Sequence, residues 1–241
     1  MAGARERTLS HQSGEVNWAG FSPDSRFVLT TGNGSEVRLW RTDHWTSDTL
    51  CQQVPKGIGF SGNSQRVAIA GFSRFIKVFD LARELREILL EKEKDDSWPS
   101  YHSVAISKSG RWLAAGSTDN LVRIWDLETG KRDAILQGHV QGVWSISFSA
   151  DDRTLASSCG ARLMLWQVGS WQELLSINEP TMRIEFSPNG QYLVGWERTD
   201  AISHPDTFLP RRLESPRIWP APTLAELDAE TAHGQPTTEL R

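Results

Sequence analysis

Three groups of side chains have the residue types of a nucleophilic site. His11 precedes Thr31 and Trp40, His139 precedes Ser157 and Trp166, and Ser117 precedes Asp119 and Trp125. A hydroxyl beside an imidazole that a carboxylate orients is the arrangement that performs acyl transfer. None of the three groups is complete. Asp119 stands six positions before Trp125, but Gly34 and Gly160 hold the matching places before Trp40 and Trp166. No His lies nine positions before Ile106, where Ser97 stands. Metal chemistry has little support either. His44, His102, His204 and His233 are scattered and make no HxH or HExxH pattern. Asp95-Asp96 and Asp151-Asp152 are adjacent pairs in turns, not the opposed acid and base of a hydrolase. Neither GxxxxGK[ST] nor GxGxxG occurs, so no phosphate cradle of the usual kind is expected.

Short strands must position these residues. A pattern of an apolar strand end, a Ser and a turn appears at Phe21-Ser22-Pro23-Asp24, Phe60-Ser61-Gly62-Asn63, Ile106-Ser107-Lys108-Ser109, Phe148-Ser149-Ala150-Asp151 and Phe186-Ser187-Pro188-Asn189. The steps between them are 39, 46, 42 and 38 residues. A second anchor keeps the same phase: Leu39-Trp40, Val78-Phe79-Asp80, Ile124-Trp125-Asp126, Leu165-Trp166 and Ile218-Trp219. Between them lie further strand and turn signals, giving four short strands per unit. The expected fold class is therefore all-β, built from small antiparallel sheets.

Gly138-His139 near the start of a unit and Trp125-Asp126 near the end of one resemble the WD repeat, over about residues 7–219. That resemblance implies a β-propeller of five recognisable four-stranded blades, anchored near 16–50, 55–91, 101–136, 143–177 and 181–219. It also implies that the His, hydroxyl, Asp and Trp form a structural hydrogen-bonded tetrad. His11, Trp40, Ser117, Asp119, Trp125, His139, Ser157, Trp166 and Trp219 are then blade residues, and the nucleophilic interpretation is set aside. Incomplete tetrads imply blades of moderate rigidity. In this family the residue entering each inner strand lies at the channel mouth, where partners dock. Those positions are Asn17, Lys56, His102, Trp144 and Met182, with Glu15, Ser100 and Thr118 as a polar rim. Trp and Met at one mouth suit a protein or peptide. Trp144 either docks a partner or packs between blades. The expected function is a non-catalytic interaction scaffold. The alternative is a recruiting module of a signalling enzyme such as a Ser/Thr kinase, to which bacterial-type arrays are often fused, with the catalytic domain on another chain or in a lost neighbouring region. No cofactor and no metal are expected.

Composition sets the remaining expectations. The 241 residues carry a net charge of −4, with no overall basic signal for nucleic acid or an anionic membrane. No stretch has the apolar length of a membrane span and the first residues lack a secretory pattern, so a cytoplasmic protein is expected. Cys51 and Cys159 have no CxxC partner and suit thiols in a reducing compartment. Leu81–Lys94 admits an outer strand at Ile88–Leu90 or a short helix, from apolar residues at 81, 85, 88 and 89. Trp196–Ile218 holds a long insertion, Thr223–Glu230 reads as a capped helix packing on the last blade, and Ala232–Arg241 reads as disordered. Glu6–Ser10 would be an outer strand closing a five-bladed ring. A piece of a longer array, or a ring completed by another subunit with self-association, are the other possibilities.

Overall fold

Each of the five anchors folds into the same turn, and the reason is local. The Ser22 hydroxyl donates to Asp24 Oδ1 at 2.7 Å and accepts the Phe27 N–H at 3.0 Å, while the Arg26 N–H donates to Asp24 Oδ1. Ser61 with Asn63 and the Arg66 N–H, Ser149 with Asp151 and the Thr154 N–H, and Ser187 with Asn189 and the Tyr192 N–H repeat it. Ser107 does the same with Ser109 and the Trp112 N–H. The next residue enters the left-handed region at Ser25, Ser64, Gly110, Asp152 and Gly190, with φ between 57° and 85°. Short polar side chains that bond their own backbone stabilise such turns. The anchors are therefore hairpin-forming chemistry as well as repeat markers.

The computed structural model describes residues 8–11, 15–32, 36–52, 54–71, 76–88, 90, 99–196 and 216–221, apart from the Asn17 side chain. They form five antiparallel sheets, each in chain order. The first is β1 (Val16–Phe21), β2 (Phe27–Gly32), β3 (Glu36–Arg41) and β4 (Ser47–Gln52). The second is β5 (Pro55–Phe60), β6 (Arg66–Gly71), β7 (Lys77–Asp80) and β8 (Arg86–Ile88). The third is β9 (Tyr101–Ile106), β10 (Trp112–Ser117), β11 (Val122–Asp126) and β12 (Arg132–Leu136). The fourth is β13 (Ser145–Phe148), β14 (Thr154–Ser158), β15 (Leu163–Gln167) and β16 (Glu173–Ile177). The fifth has β17 (Arg183–Phe186), β18 (Tyr192–Trp196) and β19 (Arg217–Pro220). Five four-stranded blades were expected. The fifth has three strands among the described residues.

In the second sheet the strand wins over helical spacing. Residues 81–85 form a turn and β8 pairs with β7, Val78 opposite Ile88. Ile88 and Leu90 then pack against the neighbouring core, a burial that a solvated helix would forgo. Thr8–Ser10 form no strand, and residues 6 and 7 lie outside the described residues. So do the insertion at 197–215, the expected helix at 223–230 and the tail at 232–241. No helix among the described residues is long and apolar enough to cross a membrane. Cys51 and Cys159 are both buried and form no disulfide.

The chain divides into two compact units, Met1–Pro55 and Lys56–Arg241. In the first, all six residues of β2 are buried, with Val37, Leu39 and Trp40 of β3. The second buries its apolar residues between successive sheets. Ala68, Ala70 and Val78 pack on Tyr101, Val104, Leu113 and Trp125. Val122, Ile124 and Leu136 pack on Val143, Leu155 and Trp166. Leu163 and Leu165 pack on Ile184, Phe186, Leu193 and Trp219. Each such Leu, Ile or Val removed from water stabilises the fold by about 1.5–3 kcal/mol. The inner strands approach closely: a Cβ on Gly57 would lie 2.8 Å from the Ser103 Cα.

At the turn end, neighbouring sheets are stitched together. The Asn63 N–H donates to the Lys108 carbonyl at 2.8 Å. The Lys108 and Ser109 N–H groups donate to the two Asp152 oxygens at 2.5 and 2.7 Å. Asp152→Asn keeps a residue that tolerates the left-handed region but turns one acceptor into an NH₂ facing an N–H. It is expected to cost about 1 kcal/mol in urea denaturation. No change would show that the stitch contributes nothing.

Candidate functional site

The expected tetrads prove to be buried hydrogen-bonded triads, with two corrections. In the first sheet, His11 Nε2 lies 2.6 Å from Thr30 Oγ1, and the Trp40 indole N–H donates to the same oxygen at 2.8 Å. The hydroxyl is Thr30, not the expected Thr31. Val28 pairs with Trp40 and Thr30 with Arg38, so Thr30 shares the face of Trp40 and Thr31 lies on the other. Sequence reasoning also missed Glu36. Its Oε2 lies 3.6 Å from His11 Nδ1, and its Oε1 accepts the Thr49 hydroxyl at 2.9 Å. A carboxylate four residues before Trp40 takes over the role that Gly34 vacates. Burial pushes the His11 imidazole below its ordinary pKa, opposed by Glu36 and assisted by Arg38.

The fourth sheet has the expected residues. His139 Nε2 lies 2.6 Å from Ser157 Oγ, which also accepts the Trp166 indole N–H at 2.8 Å. Four residues before Trp166, where the first sheet has Glu36, stands Arg162, bonded to the Gly138 carbonyl at 2.9 Å. His139 Nδ1 makes no hydrogen bond among the described residues. Burial first and the Arg162 charge second hold this imidazole down at about 4.

The third sheet departs further. Leu113 pairs with Trp125 and Ala115 with Arg123, so Ala115, not Ser117, occupies the place of Thr30 and Ser157. Ser117, two residues further along, donates to Asp119 and accepts from Arg123 at 3.0 Å. Arg123 is buried and clamps both Asp119 oxygens, at 3.1 and 2.6 Å. Burial alone would raise the Asp119 carboxyl, but the hydrogen bonds from Arg123 and Ser117 bring it below its ordinary value. Trp125 instead meets Tyr101 edge-on at 6.1 Å. An Arg two residues before the Trp is the signal that was overlooked. In the fifth sheet Trp219 is buried and Gly195 lies opposite Arg217, so no hydroxyl reaches the equivalent place. Ser157 is fully buried with its hydroxyl already shared, which gives no substrate access to it as a nucleophile.

The residues that enter the inner strands lie at the other end. Lys56 lies in β5, His102 in β9, Trp144 just before β13 and Met182 just before β17. The Asn17 side chain lies outside the described residues. His102 and Trp144, 42 positions apart, meet edge to face with ring centres 4.3 Å apart at 71°. Burial lowers the His102 pKa, and the nearby Lys56 charge lowers it further. The Trp144 N–H donates to the Ser158 carbonyl and the Met182 N–H to that of Trp196, both at 2.9 Å. These two equivalent bonds set the strand entries of neighbouring sheets. Gly160, with φ of 79°, leaves room for Met182: a Cβ there would lie 2.6 Å from the Met182 sulfur. Trp144 is 38% exposed, and Val140 on the same loop is also exposed. Thr118 and Ser100 link through a 3.0 Å backbone bond beside this cluster, and Glu15 lies in the other unit. No cluster of His, Cys, Asp or Glu that could hold a metal occurs among the described residues.

Comparison with known proteins extends this picture. The family model described as "WD domain, G-beta repeat" matches residues 3–41, 99–126 and 130–167. Protein tipD of Dictyostelium discoideum is 28% identical over 80% of this chain and 33% of its own length. Pre-mRNA-processing factor 19 homolog 2 of Arabidopsis thaliana is 25% identical over 77% of this chain and 36% of its own length. Apoptotic protease-activating factor 1 of Danio rerio is 25% identical over 76% of this chain and 15% of its own length. The chain thus spans about a third or less of the length of these relatives. A chain in the crystal structure of a mitotic checkpoint complex superposes with a TM-score of 0.65 at 17% identity, over 79% of this chain and 60% of that one.

Proposed function

From the premise that this chain is built of WD repeats on a propeller fold, we propose that it is a non-catalytic docking module. It binds a protein or peptide segment where the inner strands begin, on Lys56, His102, Trp144 and Met182. WD-repeat homologues typically mediate protein–protein interaction or assembly, and the family is generally non-catalytic. The observation that carries the reading is Trp144, part-exposed and held edge-on by the His102 ring beside the Lys56 charge. An aromatic side chain held by its neighbours loses little entropy on binding, which is what an interface anchor needs.

The test is selection of displayed peptides on the immobilised chain. Peptides enriched on the unaltered protein should lose at least about 10-fold in affinity on Trp144→Ala. They should lose less on Lys56→Glu and nothing on Tyr192→Ala, an exposed residue of the fifth sheet. The fold should survive Trp144→Ala with a loss of about 1–2 kcal/mol, below the 3–5 kcal/mol of a Trp fully packed in a core. Peptides that ignore Trp144 would place the docking surface elsewhere.

A further inference from the structure

The first and fourth sheets build the same polar centre with opposite charges at one place. In both, a His Nε2 meets a hydroxyl that also accepts a Trp indole N–H. Thr30 lies opposite Arg38 and Ser157 opposite Met164, each two residues before that Trp, so the registers match. Four residues before the Trp stands Glu36 in one sheet and Arg162 in the other. Glu36 Oε2 faces His11 Nδ1 at 3.6 Å. His139 Nδ1 has no such carboxylate. It is buried without a hydrogen bond, in a residue only 7% exposed, and Arg162 Nε is likewise buried without one. The guanidinium stays beside the imidazole because its Nη1 donates to the carbonyl of Gly138. Nδ1 is a donor. The Ser157 hydroxyl accepts the Trp166 N–H, and its own hydrogen has one acceptor among its partners, His139 Nε2. The ring hydrogen is therefore on Nδ1. Two buried N–H donors, one of them on a cation, thus stand where the first sheet has a carboxylate.

We propose that the segment docked at Trp144 carries an Asp or Glu whose carboxylate accepts from His139 Nδ1–H and Arg162 Nε–H. This rests on the docking reading above and narrows its partner to an acidic peptide. The two places adjoin. Residues 137–144 form one loop between β12 and β13, and the Trp144 N–H donates to the carbonyl of Ser158, the residue after Ser157. The cover over the donors is flexible. The Met182 sulfur lies 2.6 Å from where a Cβ on Gly160 would be, and an unbranched thioether can turn aside. Arg162 itself is part-exposed. A carboxylate entering there satisfies both donors and neutralises the guanidinium, whereas an apolar or cationic side chain leaves them orphaned. The Lys56 charge, on the His102 side of Trp144, favours the same acidic segment.

Two measurements on the full chain test it. In the first, display-selected peptides should share an acidic residue, and its change to Asn or Gln should cost at least about 10-fold in affinity. Arg162→Glu supplies from within the carboxylate that Glu36 supplies in the first sheet. On that variant the acidic peptides should lose at least about 10-fold, while their amide versions lose little. Arg162→Gln should also erase the preference for acid over amide, which keeps the test open if Arg162→Glu does not fold. The second measurement needs no selected peptide: acetate is titrated while the ring nitrogen resonances of His139 are followed. The Nδ1 resonance should move to saturation in the unaltered chain and stay fixed in Arg162→Glu, where a carboxylate already fills the place. A resonance that acetate leaves unmoved in the unaltered chain would overturn the proposal. So would amide peptides that bind as well as acidic ones, even where Trp144 anchors both. Peptides that ignore Trp144, with acetate still moving His139, would sink the docking reading and leave the carboxylate site standing.

Discussion

Ser157→Ala is expected to destabilise the unit 56–241 by about 2–4 kcal/mol, far more than the loss of one hydrogen bond. The Ser157 hydroxyl is shared by the His139 imidazole and the Trp166 indole N–H, at 2.6 and 2.8 Å. All three residues are buried. Alanine leaves two ring nitrogens without a partner in an apolar core, and each such orphan costs about 1–3 kcal/mol. Equilibrium urea unfolding reads the effect as a lower midpoint with an unchanged slope. Ser109→Ala, on an exposed turn, is the control and should cost less than about 1 kcal/mol. Equal costs for the two would mean that the triad is no more than a packed cluster.

Acidification should weaken the fold well above the range where carboxylates titrate. His139 is held at about 4 in the fold, against an ordinary 6.5. A histidine whose folded pKa is depressed contributes full stability above about pH 6.5. That stability is lost as pH falls from there to about 4, because the unfolded chain takes the proton first. The shift corresponds to at most about 3 kcal/mol. His11 and His102 are depressed as well and add to the same window. The carboxylates act lower. Burial alone would raise Asp24, yet hydrogen bonds from Arg26 and Ser22 bring it to about 2, so its contribution fades only below pH 4. Unfolding free energy measured from pH 7 to 4 should therefore fall steadily, and His139→Gln should flatten much of that slope. A flat profile in the unaltered protein would mean that His139 titrates normally.

Much of the fold was legible because the anchors are physical devices. Phe-Ser with Asp or Asn two residues on forms the same hydrogen-bonded turn in four of the sheets, so its spacing marked the hairpins. Buried Trp40, Trp125, Trp166 and Trp219 marked the third strands for the same reason. The polar centres were only partly legible. Counting along the chain chose Thr31, but faces are set by cross-strand register, where a slip of one residue inverts them. Glu36 and Arg123 escaped because a carboxylate or guanidinium can reach the same imidazole or hydroxyl from a different backbone position. The turn-and-strand alternative at Leu81–Lys94 was settled by burial of Ile88 and Leu90, which spacing does not report. The His102–Trp144 contact joins different repeats and leaves no local trace in the sequence.

The most direct test of the docking account is site-specific photocrosslinking in cells that naturally make this protein. Benzoylphenylalanine replaces Trp144 in one variant and Tyr192 in another, and adducts are identified by mass spectrometry. The account predicts a discrete protein adduct at position 144, absent or different at 192, and suppressed by a display-selected peptide that binds the unaltered chain. Adducts that are the same at both positions, or none at 144 while the protein still assembles with others, would contradict it.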